Sequence, residues 1–239
     1  AVATGTPWMG TFTVSTPGAV LLVVGEEDRD EIHRKIYYAF GALVDSAPEE
    51  ERHGTRELPL NLITAVPLAS VPSPMVVRKG REMVNGDFLE WLRAYVKEKR
   101  FKLVILDPMS RFCGEEAETS NAWATRFIQA LEQLAIESGA TIIVAHHSNQ
   151  SSRKKDSEID STSGRGVSAL VDGMRWSMGM MREPSKESEL KDLVTVSCLK
   201  SSYAPNWDDL VVKRDNRNGG ALVIPTEKRR VGHPAIDGL

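Results

Sequence analysis

At 239 residues and 41% hydrophobic, the chain is long enough to bury a sizeable core, as one large domain or one plus a small appendage. A net charge of −3 with a pI of about 6.0 excludes a global basic signal for nucleic acid, so any such contact must be a local patch. No apolar run reaches the ~18–20 residues of a membrane helix and no signal peptide is visible. Two cysteines without metal spacing, Cys113 and Cys198, point to a reduced, cytoplasmic protein.

In chain order, "AVATG" reads as the last turn of a helix that began earlier, so a preceding segment is expected. "GAVLLVVGEED" (Gly18 to Asp28) is a buried strand running into an acidic turn. "RDEIHRKIYYAFGAL" places Ile32, Ile36, Phe40 and Leu43 at helical spacing. "LNLITAVPL" is a second strand, and "GDFLEWLRAYVKEKR" is an amphipathic helix with Leu89, Leu92 and Val96 on one stripe. "FKLVILDPMSRF" then runs up a central strand, apolar from Leu103 to Leu106, and ends on Asp107 before Pro108 stops the ladder. "NAWATRFIQALEQLAIESG" is a helix ended by Gly139, and "ATIIVAHHS" is the next strand. Strands alternating with helices of this length predict an α/β fold with a mostly parallel sheet.

The polar run Ser148 to Gly166 has no periodicity and reads as a loop long enough to be functional. "VSALVDGMRWSMGMM" is a short helix feeding a strand. "DLVTVSCLKSSYAP" and "DDLVVKRDNRNGGALVIP" are C-terminal hairpin strands with Asn218-Gly219-Gly220 as a turn. The tryptophans Trp91, Trp123, Trp176 and Trp207 are most simply core or hydrophobic-patch residues. The expected organisation is one core over residues 1–225 and a tail over 226–239.

Three strand ends carry polar residues: Glu26-Glu27-Asp28, Asp107, and His146-His147. A parallel sheet aligns its C-terminal ends, which is where ligands sit, so these groups should converge. Asp107 fits a Mg²⁺ ligand, because that ion usually takes only one or two protein carboxylates. The bland alternative is an acid capping the next turn. Glu27 fits a general base that deprotonates water for attack on a γ-phosphate. The same "EEDRDE" run is equally what a helix N-terminus favours through its dipole. His147 fits a γ-phosphate sensor leading into the following loop, although a lone strand-end His is more often an ordinary polar residue. Within that loop, Arg153, Lys154, Lys155 and Arg165 suit sequence-independent contact with a phosphate backbone. Asp156, Glu158 and Asp160 nearly cancel their charge. Arg175 and Lys200 are strand-edge cations able to reach a neighbouring subunit's phosphates, or else surface charge. No Gly-Lys-Ser or Gly-Lys-Thr occurs anywhere, so the usual phosphate-cradling loop is not in this chain.

The order of "VVGEEDRDEIHRKIYYAFGA", "FKLVILDPMSRF", "IIVAHHSNQSSRK", "SGRGVSALVDGMRW" and "CLKSSYAPNWDDLVVKRDNRNGGALVIP" resembles the RecA-fold ATPases of the RepA type, hexameric replicative helicases of plasmids, and their phage and plasmid AAA-like relatives. The resemblance runs from about Val20 to Pro225. It implies a RecA-like core that binds ATP with Mg²⁺, forms a homo-oligomeric ring, hexameric in that family's manner, and moves on single-stranded DNA. It implies Asp107 as the Walker B acid, Glu27 as the catalytic glutamate and His147 as the γ-phosphate sensor. Arg175 and Lys200 take the places of trans-acting phosphate ligands. The family often has a basic or amide residue two positions after that lysine, where this chain has Ser202 followed by Tyr203. In the family the Walker A loop and its helix directly precede the strand at Val20, so the missing cradle is expected upstream of Ala1. A recombination or regulatory ATPase that does not unwind, and a degenerate, non-hydrolysing binding module, remain open alternatives. Metal-dependent nuclease chemistry is a further one, though such sites usually gather more carboxylates.

Overall fold

The strand β1 (Val20–Val24) is the centre from which the fold is built: five apolar residues, four of them buried, too short for a helix and paired on both sides. The computed structural model describes residues 1–46, 60–67, 74–114, 120–147, 168–182 and 192–225. On one side β1 pairs in parallel with β2 (Ile63–Pro67), and on the other with β5 (Leu103–Asp107), which in turn pairs with β6 (Thr141–Val144). The sheet order is therefore β2-β1-β5-β6. The crossover helices are α1 (Arg29–Ser46) after β1, α2 (Asp87–Lys99) before β5, and α3 (Asn121–Ser138) before β6.

Alternation along the strands sorts the two faces. Leu21 and Val23 of β1 stand beside Val104 and Leu106 of β5 in register, and all four are inaccessible to solvent. They meet Leu89, Leu92 and Val96 of α2, and Phe127, Leu131 and Leu134 of α3, in one core. The α2 stripe expected from periodicity is thus fully buried. Burying a side chain of this size contributes about 1.5–3 kcal/mol, so this face holds most of the fold's stability. On the opposite face Leu22, Ile105 and Asp107 are half-buried, while Val20, Val24 and Leu103 are buried. Of the stripe expected on α1, only Ile32 is buried; Ile36, Phe40 and Leu43 are half-buried, and Ala42 is the helix's other buried residue. Trp123 fits the core reading: it is buried and donates its indole N–H to the Cys113 carbonyl at 2.7 Å.

Local signals end the helices as their chemistry requires. The Ser120 hydroxyl accepts from the Trp123 N–H at the start of α3, and Gly139 closes it in the left-handed conformation at φ 68°. A two-stranded hairpin, β3 (Val76–Lys79) with β4 (Glu82–Asn85), turns at Gly80 and stands just ahead of α2; periodicity alone did not predict it. After α4 (Ser168–Gly173) come β7 (Trp176–Arg182), β8 (Leu193–Ser201), β9 (Leu210–Asp215) and β10 (Ala221–Val223). They form a second, antiparallel sheet in the order β10-β9-β8-β7, as the hairpin pattern predicted. Its small core of Val194, Val196 and Val212 is covered in part by Trp8, Met9 and Trp207. Trp176 is 42% exposed and is not a core residue. Among the described residues, no helix is long and apolar enough to cross a membrane.

Candidate functional site at the sheet edge

Register decides what converges. Val24 stands opposite Asp107, and Leu106 opposite Val144, so the residues following β1 and β6 emerge on either side of the end of β5. Backbone hydrogen bonds continue the ladder past the strands. The Gly25 N–H donates to the Asp107 carbonyl at 2.7 Å, Ala145 donates to Leu106 at 2.9 Å, and Met109 donates to Ala145 at 2.6 Å. Gly25 is required here for space: a Cβ on it would lie 2.6 Å from Cγ of Arg111, whose stem crosses it on the turn after Pro108.

The acids after β1 divide their work. Asp28 caps α1, its Oδ1 accepting from the Glu31 N–H at 2.8 Å while its carbonyl accepts from Ile32. Glu27 does not cap. It forms an ion pair with Lys35 one to two turns into α1, and its side chain is 24% exposed. The helix-dipole alternative therefore accounts for Asp28, Asp30 and Glu31, and leaves Glu27 aimed elsewhere.

Electrostatics ties these groups to Asp107. Its carboxyl is pushed above the ordinary carboxylate range, first by burial and then by the negative charge of Glu27, with a smaller push from Glu26. His147 and Lys35 act in the opposite direction. Glu27 and His147 thus each lie within electrostatic reach of Asp107. Lys35 and Arg111 belong to the same edge and were not singled out in the sequence. The only signal for Lys35 was its place on the flank of α1 that also carries Asp28 and Glu31.

Asp107 also meets the requirements of a hard divalent cation. It is a half-buried carboxylate at a strand end, raised first by burial and then by Glu27, and a cation would favour its charged form. Among the described residues no group of three or more His, Cys, Asp or Glu side chains is placed to cage a metal. A single carboxylate of this kind could serve Mg²⁺, which keeps most of its waters and takes phosphate oxygens.

Of the other predicted residues, Arg175 and Lys200 are described, and they bond to α3 and α4. Arg175 pairs with Glu132 of α3 at 3.0 Å, and the Lys200 ammonium donates to the Asp172 carbonyl at 2.6 Å. The two cations are neighbours, because Lys200 faces Ser177 across β7 and β8 and the Ser202 N–H donates to the Arg175 carbonyl. Neither is among the charges that act on Asp107. Arg153, Lys154, Lys155 and Arg165 lie outside the described residues, as does the tail over 226–239. A groove between α2 and α3, lined by Glu90, Arg93, Lys97 and Glu137, contains none of the predicted site residues, and Arg93 pairs there with both glutamates.

A parallel sheet with acids at its C-terminal edge, helices around it and an antiparallel sheet following is the RecA-like architecture of ATPase domains. The same fold is found in a solved structure described as an ATPase domain, with a TM-score of 0.61 at 16% identity over 86% of this chain and 74% of that one. A DnaB-like replicative helicase, solved for its interactions with primase, matches with the same TM-score and identity over 86% of this chain and 50% of its own. At that identity the likeness is one of fold. A family model described as an AAA domain matches residues 1–153, and the chain belongs to that family.

Proposed function

We propose that this chain is the core of a nucleic-acid-dependent ATPase of the replicative-helicase type, working as a homo-oligomeric ring on single-stranded DNA in the cytoplasm. The observation that carries the reading is the meeting of Glu27, Asp107 and His147 at the C-terminal edge of a RecA-like sheet. Asp107 would hold Mg²⁺ directly or through water; the ion, when bound with ATP, neutralises charge on the phosphates. Glu27 orients the attacking water and accepts its proton. His147 responds to the γ-phosphate and passes its presence into the segment over 148–166, where Arg153, Lys154, Lys155 and Arg165 contact the DNA backbone. Arg175 and Lys200, in this reading, complete the nucleotide site of a neighbouring subunit.

The absence of Gly-Lys-Ser and Gly-Lys-Thr favours a second reading, a binding module that does not hydrolyse ATP. Under the first reading, the phosphate cradle comes from outside these residues and the 239-residue chain alone turns over ATP only at background. The deciding experiment measures ATP turnover by the full-length gene product with and without single-stranded DNA. Single strands are expected to raise turnover severalfold, and Glu27→Gln to lower it by about 10²–10⁴-fold. Turnover indifferent to single strands overturns the helicase reading, and no turnover at all leaves the binding module.

A further inference from the structure

The contact between Glu27 and Lys35 joins the candidate base to the helix that follows it, and its geometry is over-determined. Asp28 fixes where α1 begins, through the bond its Oδ1 accepts from the Glu31 N–H at 2.8 Å. Lys35 lies seven residues after Asp28 on the same flank of the helix, and helical side chains lean towards the N-terminus. Its stem therefore runs back along α1 to the strand end, where its ammonium meets Glu27 Oε1. The nearer competitor, Glu31, is already taken. Both of its oxygens accept from the Arg34 guanidinium, at 2.6 and 2.7 Å. Lys35 is thus left for Glu27, whose neighbour on the other side is the like charge of Asp107. Lys35 gives Glu27 a cation on its α1 side to set against the like charge of Asp107.

We propose that Lys35 is the positioning residue for Glu27: it holds the carboxylate at the sheet edge, beside the place where water would be activated. The inference rests on the ATPase reading for its consequence and on the ion pair alone for its geometry, and the two are tested separately. For the geometry, the 239-residue chain is treated with a water-soluble carbodiimide, which joins a carboxylate to an amine in contact as an amide with loss of water. Mass spectrometry of the digest should find the Glu27–Lys35 link, absent in Glu27→Gln. A link from Lys35 to Glu31 instead, or no link to Glu27, overturns the proposal. For the consequence, the full-length gene product carrying Lys35→Met should lose about ten- to a hundredfold in kcat with the KM for ATP nearly unchanged. Lys35→Arg, which keeps the charge and the reach, should restore most of it. A loss shared by both variants, or a loss confined to KM, overturns the positioning role. Wild-type protein without turnover would overturn the ATPase reading, and with it any catalytic consequence of the pair, while the cross-link still decides whether the pair exists.

Discussion

At the scale of single residues, Asp107 is where physics and proposed chemistry conflict most. A carboxylate raised by burial and by Glu27 is more easily protonated in the folded protein than in the unfolded chain. Its contribution to stability is therefore fully present below the ordinary value of 3.8 and is lost as pH rises through the raised value. Asp107→Asn removes that loss. In thermal melts without divalent cations, the variant should match the wild type at low pH and gain on it as pH rises. Millimolar Mg²⁺ should close the gap by raising the wild type's Tm and not the variant's. Were Asp107→Asn the less stable protein at pH 7 without divalents, burial and like charge would not be what governs this carboxyl. The place of Asp107 at a strand end was legible from the apolar run before it, although residue type alone did not separate a metal ligand from an acid capping the next turn. Lys35 was not, because its role depends on helix register and on Arg34 occupying Glu31, and neither can be read from residue types.

At the scale of elements, α1 carries the site's geometry although its own packing is slight. Helices mostly draw stability from a buried face, and this one has only Ile32 and Ala42 buried, so its cap counts for more than usual. Asp28→Ala should cost about 1 kcal/mol in urea unfolding, with Asp28→Ser keeping most of the wild-type stability. The alanine variant should also fray the first turn and weaken the Glu27–Lys35 contact. Equal losses for both substitutions would mean that the Asp28 side chain does not cap. The strands β1, β5 and β6 were legible from their continuous apolar runs, α2 from a stripe that proves fully buried, and α3 from its length and the Gly139 that closes it. The hairpin β3–β4 escaped because its strands are four residues each, with charged residues flanking Gly80, a pattern that composition cannot separate from a loop.

At the scale of the molecule, the sequence announced an alternating fold and C-terminal hairpins but not how the two sheets are held together. That joint is α1. The turn before β10 lies on its C-terminal half: the Asn218 amide donates to Asp45 of α1 and to Asp215, both at 3.0 Å. Gly219 sits against the Tyr38 ring so closely that a Cβ would lie 2.4 Å from it, and its φ of +57° is itself costly for any other residue. The helix that starts at the candidate base thus ends on the sheet whose β8 carries Lys200, giving the two halves of the proposed nucleotide site one connector. Gly219→Ala combines backbone strain with a clash against an aromatic ring and should cost about 1–3 kcal/mol. The loss should be local, because the core under β1 and β5 does not include this contact. Hydrogen exchange is the measurement that separates the two cases. Amides of β9, β10 and the turn over Asn216–Asn218 should exchange faster in the variant, while those of β1 and β5 keep their protection. If β1 and β5 lost protection to the same extent, the sheets would unfold as one unit and α1 would be no joint at all.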